Sequence, residues 1–429
     1  MTGERKEFML EASKNQATEL EEFIRSLKLP EKTANWVFEM PRRKARTEAT
    51  SLRGSFFKML FHYLEQHAQE EGITLQYPAR PELFTVQIPL LSELIISVQY
   101  LENQVYDGKG GLLKDGILHH RRTSANVQAS HLLKDYVYDY IDGIADEGTR
   151  LHQRLTHSTR LIFQAVTLGQ HWEDEYACFD YLYNGFTDYP TAPDNIESLI
   201  DHDLVADLWA RFQRWGLPEW QSAYCHFYLR RISLTNATLF AQLAALILEL
   251  TGYDGKEKER VVKFCRKFSL LHQLCNDVCD VVPASRGHET VQKNANDAYA
   301  DLRKGCPTLP ILFLAREKSE SDFVEFQSVI DQDNVQEEIF EILAPVGSQY
   351  FIKLIQEGHD DLCKRYLHKN SDKLQESVRL ISNNRYYREF WIKHREIKKE
   401  KRLIETNLPS SAYFHHEKST LCCAKEKRT

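Results

Sequence analysis

The chain has 429 residues, of which 42% are hydrophobic, and its formal net charge is −7. This length allows one large domain or two ordinary ones, with enough apolar residues for a sizeable core. The negative charge argues against nonspecific binding to nucleic acid or to anionic lipid, because both favour a basic protein surface.

The first residues, "MTGERKEFMLEASK", are charged and lack the apolar core of a secretory signal. Farther along, no uncharged run reaches the roughly 18–20 residues that are needed to span a bilayer. The nine cysteines are irregularly spaced, which indicates reduced thiols rather than a disulfide framework. We therefore predict a cytoplasmic protein without a transmembrane segment.

Residues 1–50 alternate charged positions with short apolar runs, which predicts a loosely attached helical arm. From Leu52 onward the apolar residues recur at helical spacing. Residues 90–107 and 259–282 each carry a single apolar stripe of this kind. The chain has only 18 glycines and 13 prolines, as expected for long helices in which both residues are unfavourable.

Signals for β-hairpins and for alternating strands and helices are missing from the sequence. We therefore predict an all-α protein with one large helical domain over residues 51–405. The N-terminal arm covers residues 1–50, and the polar tail over residues 406–429 is expected to be disordered.

Two Asn-x-x-x-Asp pairs stand out, each on a long apolar segment. They are Asn103 with Asp107 and Asn276 with Asp280, and Asp277 adds another carboxylate. Residues four apart lie on the same face of a helix, so each pair presents two oxygen ligands side by side. Such ligands suit Mg²⁺. Either pair alone is also typical of the solvated face of an amphipathic helix.

The second pair lies in a longer pattern. The residues read "LLHQLCNDVCD" and then "DAYADLRKGCPTLPILFL". They resemble the second aspartate-rich region of the trans-isoprenyl diphosphate synthases, or polyprenyl synthetases. That family has Phe-Gln-x-x-Asp-Asp-x-x-Asp, followed by Asp-Leu-x-x-Gly-Lys-x-Thr-Leu-Pro. Further family landmarks occur in the same order over about residues 50–390: the helix that ends at Asp107, "HHRRT", "LGQHWED" and "TNATLF".

The resemblance implies a single helical bundle of the isoprenoid synthase type around a central cavity. It implies an enzyme of isoprenoid biosynthesis that uses Mg²⁺ to condense an allylic diphosphate with isopentenyl diphosphate. Arg121 would then hold the allylic diphosphate and Arg122 isopentenyl diphosphate, while Gln170 and Gln273 would line the pocket. The metal ligands would be Asn103, Asp107, Asn276, Asp277 and Asp280, with the three aspartates as the catalytic residues.

The chain also departs from the family pattern. The leading aspartate of each metal motif is an asparagine here, at Asn103 and Asn276. Two family lysines are replaced by Thr235 and Cys306. Each lost lysine removes a charge-assisted contact to diphosphate that is worth roughly 1.5–3 kcal/mol. Relative to the family there is also extra sequence around residues 171–225.

Three functions follow from this pattern. The first is a divergent prenyltransferase, which the survival of Asp107, Asp277, Asp280 and both arginines favours. The second is a class I terpene synthase that ionises an allylic diphosphate on the same fold. The third is a non-catalytic partner subunit of a prenyl synthase, which the altered metal motifs favour. The resemblance also implies a homodimer, or a heterodimer with a related synthase.

Overall fold

The computed structural model describes six stretches of the chain and a few residues near the C-terminus. These are residues 3–46, 52–75, 80–106, 116–253, 255–282 and 299–354, together with residues 362, 365–367 and 374–375. For residues 3–14, 43–46, 52, 104–106, 116–123 and 348 it describes the backbone alone.

The described residues form helices and contain no β-strand, which confirms the predicted all-α class. Short π-helical turns lead into α5 at Leu83–Gln87 and connect α11 to α12 at Ser233–Ala237. The α-helices, in chain order, are α1 Gly3–Ser26, α2 Glu31–Val37, α3 Glu39–Arg46, α4 Leu52–Glu71, α5 Ile88–Tyr106, α6 Gly116–Ile144, α7 Arg150–Tyr176, α8 Phe179–Asn184, α9 Asp194–Glu197, α10 His202–Arg214, α11 Ser222–Ile232, α12 Thr238–Leu250, α13 Gly255–Asp280, α14 Ala300–Lys304, α15 Leu309–Ala315, α16 Glu320–Val329 and α17 Asp333–Val346.

Helix α12 lies at the centre of the bundle. Its sequence "TLFAQLAALILEL" is apolar on nearly every side, and most of its side chains are buried. A helix that is apolar all round must be surrounded by others, and α12 packs against α4, α5, α7 and α13. Helices α5 and α13, which carry Asn103 and Asn276, are therefore neighbours of the same central helix.

Two described helical stretches are long and apolar enough to cross a membrane. They are Leu83–Asn103 and Glu219–Leu250, and 72% of the apolar window of each is buried inside the protein. The core helices of a globular bundle pass the same length and hydropathy test, so burial accounts for both stretches here.

The N-terminal region packs against the main bundle. Val37 and Phe38 are fully buried in the common core. The ring of Phe38 stacks on Tyr136 of α6, with 5.6 Å between centroids. Arg42 donates to both carboxylate oxygens of Glu21 at 2.8 Å. The described part of this region is helical, and an aromatic contact joins it to α6, whereas the sequence predicted a loose attachment. The domain boundary at residue 50 stays a prediction.

The extra segment around residues 171–225 is organised on one buried arginine of α11. Arg230 donates to the carboxylate oxygens of Glu197 at 2.7 and 2.6 Å and to the Pro190 carbonyl at 2.9 Å. Its guanidinium also lies 5.0 Å from the ring centroid of Trp172. These contacts fold the segment back onto the bundle, since a buried guanidinium needs several acceptors and a counter-charge.

Candidate functional site

The second aspartate-rich motif occupies the last turn of α13, and its side chains divide into two groups. Asn276 is exposed, whereas Asp277 and Asp280 are only 2% and 6% exposed. The backbone amides of Tyr299 and Asp301 donate to the Asp280 carbonyl at 2.6 Å and to its Oδ2 at 3.1 Å. Tyr299 and Asp301 therefore cover Asp280, although Asn276, one helical turn earlier on the same face, is exposed.

Both oxygens of Asp277 accept hydrogen bonds from inside the protein. Gln273 Nε2 donates to Oδ1 at 2.7 Å, and the Tyr228 hydroxyl donates to Oδ2 in a short contact. Burial raises the pKa of Asp277 to about 6, although the Tyr228 hydrogen bond and the nearby Arg231 act in the opposite direction. The proposed metal-binding role of Asp277 stays a prediction. In the described conformation the Asp277 oxygens accept hydrogen bonds from Tyr228 and Gln273.

Two basic side chains from different segments meet on one carboxylate beside Asp277. Arg231 of α11 pairs with Glu173 of α7, and its side chain is only 6% exposed. Lys304 of α14 pairs with Glu173 through Nζ and Oε1 at 2.8 Å, and its side chain is 23% exposed. We call Glu173, Arg231 and Lys304 the charge cluster. It joins three segments that are far apart in sequence, next to a fourth, α13.

The charge cluster lies beside the two positions that lack a family lysine. Thr235 follows Arg231 by one turn, and its Oγ1 donates to the Arg231 carbonyl at 3.3 Å. Cys306 follows Lys304 by two residues and is buried, which raises the pKa of its thiol to about 12. Both positions are therefore neutral, and a cation stands close to each of them. Sequence reasoning missed both cations, although Arg231 is visible in "YLRRISLTNATLF" one turn before Thr235.

Gln170 lies on α7 one turn before Glu173. The side chain is 7% exposed, and its Nε2 has no hydrogen-bond acceptor within the part of the chain that the structure describes. Residues three apart on a helix share a face, so this unmatched donor lies on the same side of α7 as the charge cluster. A buried amide without an acceptor is rare and is often matched by a ligand or water.

Gly169 allows α7 to approach the turn that carries Thr235. A Cβ atom at residue 169 would lie 2.7 Å from Thr235 Cγ2 and 3.0 Å from Leu234 Cβ. Both distances are shorter than normal van der Waals contact. The glycine therefore holds the "LGQHWED" and "TNATLF" segments together.

We expect Gly169→Ala to lower the free energy of unfolding by roughly 1–2 kcal/mol, because the new methyl group overpacks this contact. Thr235→Ser removes the methyl group that lies nearest to the new Cβ atom. The double variant Gly169→Ala with Thr235→Ser should therefore recover part of the lost stability. Urea denaturation measures both effects. Gly143→Ala on α6 is the matched control, since its new methyl group would meet no other side chain or segment within 4 Å among the described residues. Equal losses at the two glycines would contradict the packing argument.

The first motif is only partly described. Asn103 is exposed near the end of α5, and Asp107 lies outside the described residues. Arg121 and Arg122 fall in the first turns of α6, where the structure describes only the backbone. The predicted approach of the two motifs across a common cavity therefore stays a prediction.

The described residues supply few donors for a metal. They contain no group of three or more His, Cys, Asp or Glu side chains that could hold an ion. The exposed oxygen donors of the two motifs in this part are the amides of Asn103 and Asn276. Mg²⁺ commonly takes one or two protein ligands and completes its shell with water and substrate phosphate. The described donor set fits a weakly held ion of that kind and not an all-protein cage.

Among the recesses of the described surface are two that the second motif does not line. One, of about 600 Å³, lies between α6, α7 and residues 193–196. The other, of about 370 Å³, lies between α10, α13 and residues 362, 365 and 366. The carboxylates of the second motif therefore face the interior rather than either recess.

Comparison with known proteins shows the fold and supports the family resemblance over part of the chain. The polyprenyl synthetase family model matches residues 213–344, which include the second motif, Arg231 and Lys304. Curated protein sequences gave no match.

Three similar structures share the fold at low sequence identity. A geranylgeranyl pyrophosphate synthetase from Pyrococcus horikoshii has a TM-score of 0.55 and 15% identity, over 88% of this chain and 98% of that one. A polyprenyl synthase from Caulobacter crescentus, complexed with calcium and isoprenyl diphosphate, has a TM-score of 0.55 and 15% identity, over 89% of this chain and 97% of that one. The farnesyl diphosphate synthase of T. brucei, complexed with risedronate, has a TM-score of 0.55 and 14% identity, over 89% of this chain and 99% of that one. The bundle of isoprenoid synthase type is thereby confirmed.

Proposed function

We propose that this chain, a divergent member of the polyprenyl synthetase family, is a prenyltransferase. Its substrates would be an allylic diphosphate and isopentenyl diphosphate. The allylic C–O bond breaks with its electron pair on the departing diphosphate, the allylic carbon bonds to isopentenyl diphosphate, and a proton leaves the product. The residues of this chain would have to bind two diphosphates and stabilise the one that departs.

The charge cluster is the observation that supports this proposal. A guanidinium and an ammonium from separate segments converge on the Glu173 carboxylate, and Gln170 adds an unmatched amide donor one turn away. A diphosphate carries more charge and more acceptor oxygens than a carboxylate, so it can compete with Glu173 for both cations. Arg231 and Lys304 would thus replace the two missing family lysines.

Mg²⁺ would be held by Asp107 with the two amides of Asn103 and Asn276, and it would neutralise charge on the leaving diphosphate. Asp277 and Asp280 would position the end of α13 against Tyr228 and Asp301 instead. In this proposal Arg121 and Arg122 bind the allylic and isopentenyl diphosphates, as the family resemblance implies.

Turnover tests the proposal directly. The purified protein is incubated with Mg²⁺, labelled isopentenyl diphosphate and allylic diphosphates of several lengths, and the products are extracted and identified. A longer prenyl diphosphate that forms only when both substrates are present supports the proposal. A hydrocarbon or alcohol formed from the allylic diphosphate alone would show a terpene synthase and overturn it.

We expect Lys304→Gln to weaken the binding of the allylic diphosphate roughly tenfold to a hundredfold, because one charge-assisted contact is lost. Isothermal titration with Mg²⁺ present measures the change. Lys318→Gln is the control, since Lys318 is as exposed as Lys304 and pairs with a single carboxylate, Glu338, at 3.4 Å. An unchanged affinity in Lys304→Gln, or an equal loss in the control, would contradict the role given to Lys304.

A non-catalytic partner subunit is the second candidate, and the state of Asp277 favours it. Its two oxygens are occupied by Tyr228 and Gln273, so the second motif presents only a neutral amide to solvent. Such a subunit would bind a prenyl diphosphate without turning it over. Light scattering would show whether the protein is a homodimer, and activity that appears only on mixing with a related synthase would favour this candidate.

A further inference from the structure

We propose that the recess between α6, α7 and residues 193–196 binds an amphiphilic anion, which is an apolar chain with one phosphate or carboxylate head group. The recess has a volume of about 600 Å³, and small-molecule sites commonly have roughly 300–1,000 Å³. No residue of the charge cluster lines it. Its assignment therefore does not depend on the prenyltransferase activity.

Helix α7 supplies one wall of the recess. The lining residues of this helix recur at steps of three and one, so they form a single stripe along its surface. The ring of Phe163 lies 6.3 Å from that of Tyr138 of α6, centroid to centroid, and the buried Ile196 adds aliphatic surface. The lining residues of α7 are Arg160, Phe163, Gln164, Thr167, Leu168 and His171.

Arg160 is the main cation for the head group. It lines the recess and has no carboxylate partner within the part of the chain that the structure describes. Its partner is the neutral Tyr138 hydroxyl. Burial raises the pKa of Tyr138, while the charge of Arg160 and a hydrogen bond from it act in the opposite direction. A guanidinium that pairs with a neutral group keeps its charge, so it can form a charge-assisted contact with an anion.

Lys134 of α6 is the second cation. Its Nζ lies 4.7 Å from the ring centroid of Phe163, and Phe163 follows Arg160 by one turn, so both cations stand beside the same ring. The ring orients Lys134 without cancelling its charge. Burial raises the pKa of Glu102 on α5, and Lys134 acts in the opposite direction. Glu102 therefore offsets part of the charge of Lys134, whereas Arg160 keeps its own.

Among the described residues, the lining contains no carboxylate. Asp135, Asp139 and Asp194 are close in sequence to lining residues, but none of them lines the recess. This charge pattern favours an anionic ligand over a second copy of the chain. A two-fold contact places the same surface on both sides, so it would bring the cations of the two copies together, and like charges repel.

The remaining lining suits an apolar chain. Phe163 and Tyr138 offer aromatic surface, and Leu168 and Ile196 offer aliphatic surface. Arg160 and Leu168 are eight residues apart, which is about 12 Å along a helix. A chain of that length, with its head group at Arg160, would contact both kinds of surface. Burial of the chain supplies affinity that a single exposed ion pair lacks.

Calorimetric titration of the full chain in EDTA tests the proposal with two ten-carbon probes, decanoate and geranyl monophosphate. Arg160→Gln combined with Lys134→Gln should weaken the binding of both probes at least tenfold, because both cations are lost. Arg154→Gln should bind them as the unmodified protein does, since Arg154 is exposed on α7, pairs with Glu249 at 2.9 Å and does not line the recess. The probe that binds more tightly identifies a fatty acid or a prenyl phosphate as the source of the ligand.

Gln164→Glu tests the site without removing a buried contact, because Gln164 is exposed and lies one turn after Arg160. The new carboxylate would pair with Arg160 and repel the head group, so binding should weaken even if the double variant fails to fold. Lys304→Gln should leave the affinity for decanoate unchanged, which separates this recess from the charge cluster of the proposed function.

Unchanged binding in both recess variants, or an equal loss in Arg154→Gln, would overturn the recess as a site. Decanol or inorganic phosphate that binds as tightly as the two probes would overturn the ligand class. Failure of the unmodified protein to bind either probe would overturn the proposal as a whole. If light scattering then shows a dimer that Gln164→Glu dissociates, the surface belongs to a second copy of the chain.

Discussion

Replacing Glu173 with glutamine is expected to lower the free energy of unfolding by about 3–5 kcal/mol, because it leaves the buried Arg231 guanidinium without its principal counter-charge. Arg231 is only 6% exposed, so water cannot replace the carboxylate. Lys304 keeps Asp174, at 3.8 Å, as a weaker partner. Urea denaturation at neutral pH measures the loss.

The same variant should bind diphosphate more tightly, because Glu173 no longer competes for the two cations. Added diphosphate should therefore raise the melting temperature of Glu173→Gln by more than that of the unmodified protein. Glu317→Gln is the control, since Glu317 pairs with Arg316 on an exposed surface, where an ion pair is worth at most about 1 kcal/mol. A small stability loss in Glu173→Gln, together with weaker diphosphate binding, would show that the cluster does not receive anions.

The fold could be predicted from the sequence because helical periodicity reports directly on long amphipathic helices. The apolar stripe of residues 259–282 corresponds to helix α13, and the apolar block "ATLFAQLAALILEL" contains the whole of the central helix α12. The ordered family landmarks also located the second motif, which the match over residues 213–344 supports.

The surroundings of the site could not be predicted in the same way. A helical wheel shows which face of α13 is polar, but it cannot show that Tyr228 and Asp301, from other segments, cover Asp277 and Asp280. The charge cluster was missed for the same reason, because Glu173 lies 58 residues before Arg231 in sequence and meets it only in the fold. Tertiary partners decide whether a carboxylate faces solvent or the interior.

The largest pH effect is expected at Asp277. Its pKa is raised by burial from 3.8 to about 6 in the folded protein, so between these values the folded state binds more protons than the unfolded state. The stabilisation from this protonation is fully present below about pH 4 and is lost as the pH rises through about 6. The ionised carboxylate of Asp277 should therefore lower the free energy of unfolding at pH 7 by on the order of 2–3 kcal/mol, relative to a neutral side chain.

Asp277→Asn should remove this pH dependence and raise the stability at pH 7, because the neutral amide keeps both contacts. Its oxygen can accept from Gln273, and its nitrogen can donate to the Tyr228 hydroxyl. Unfolding free energies measured from pH 4 to pH 7 check the prediction, with the exposed Asp331→Asn as control. If Asp277 instead binds Mg²⁺, the variant will lose metal-dependent diphosphate binding, and the structural role argued for this carboxylate will be wrong. Retained metal-dependent binding in a more stable protein would place the ion on Asp107 and the two exposed amides.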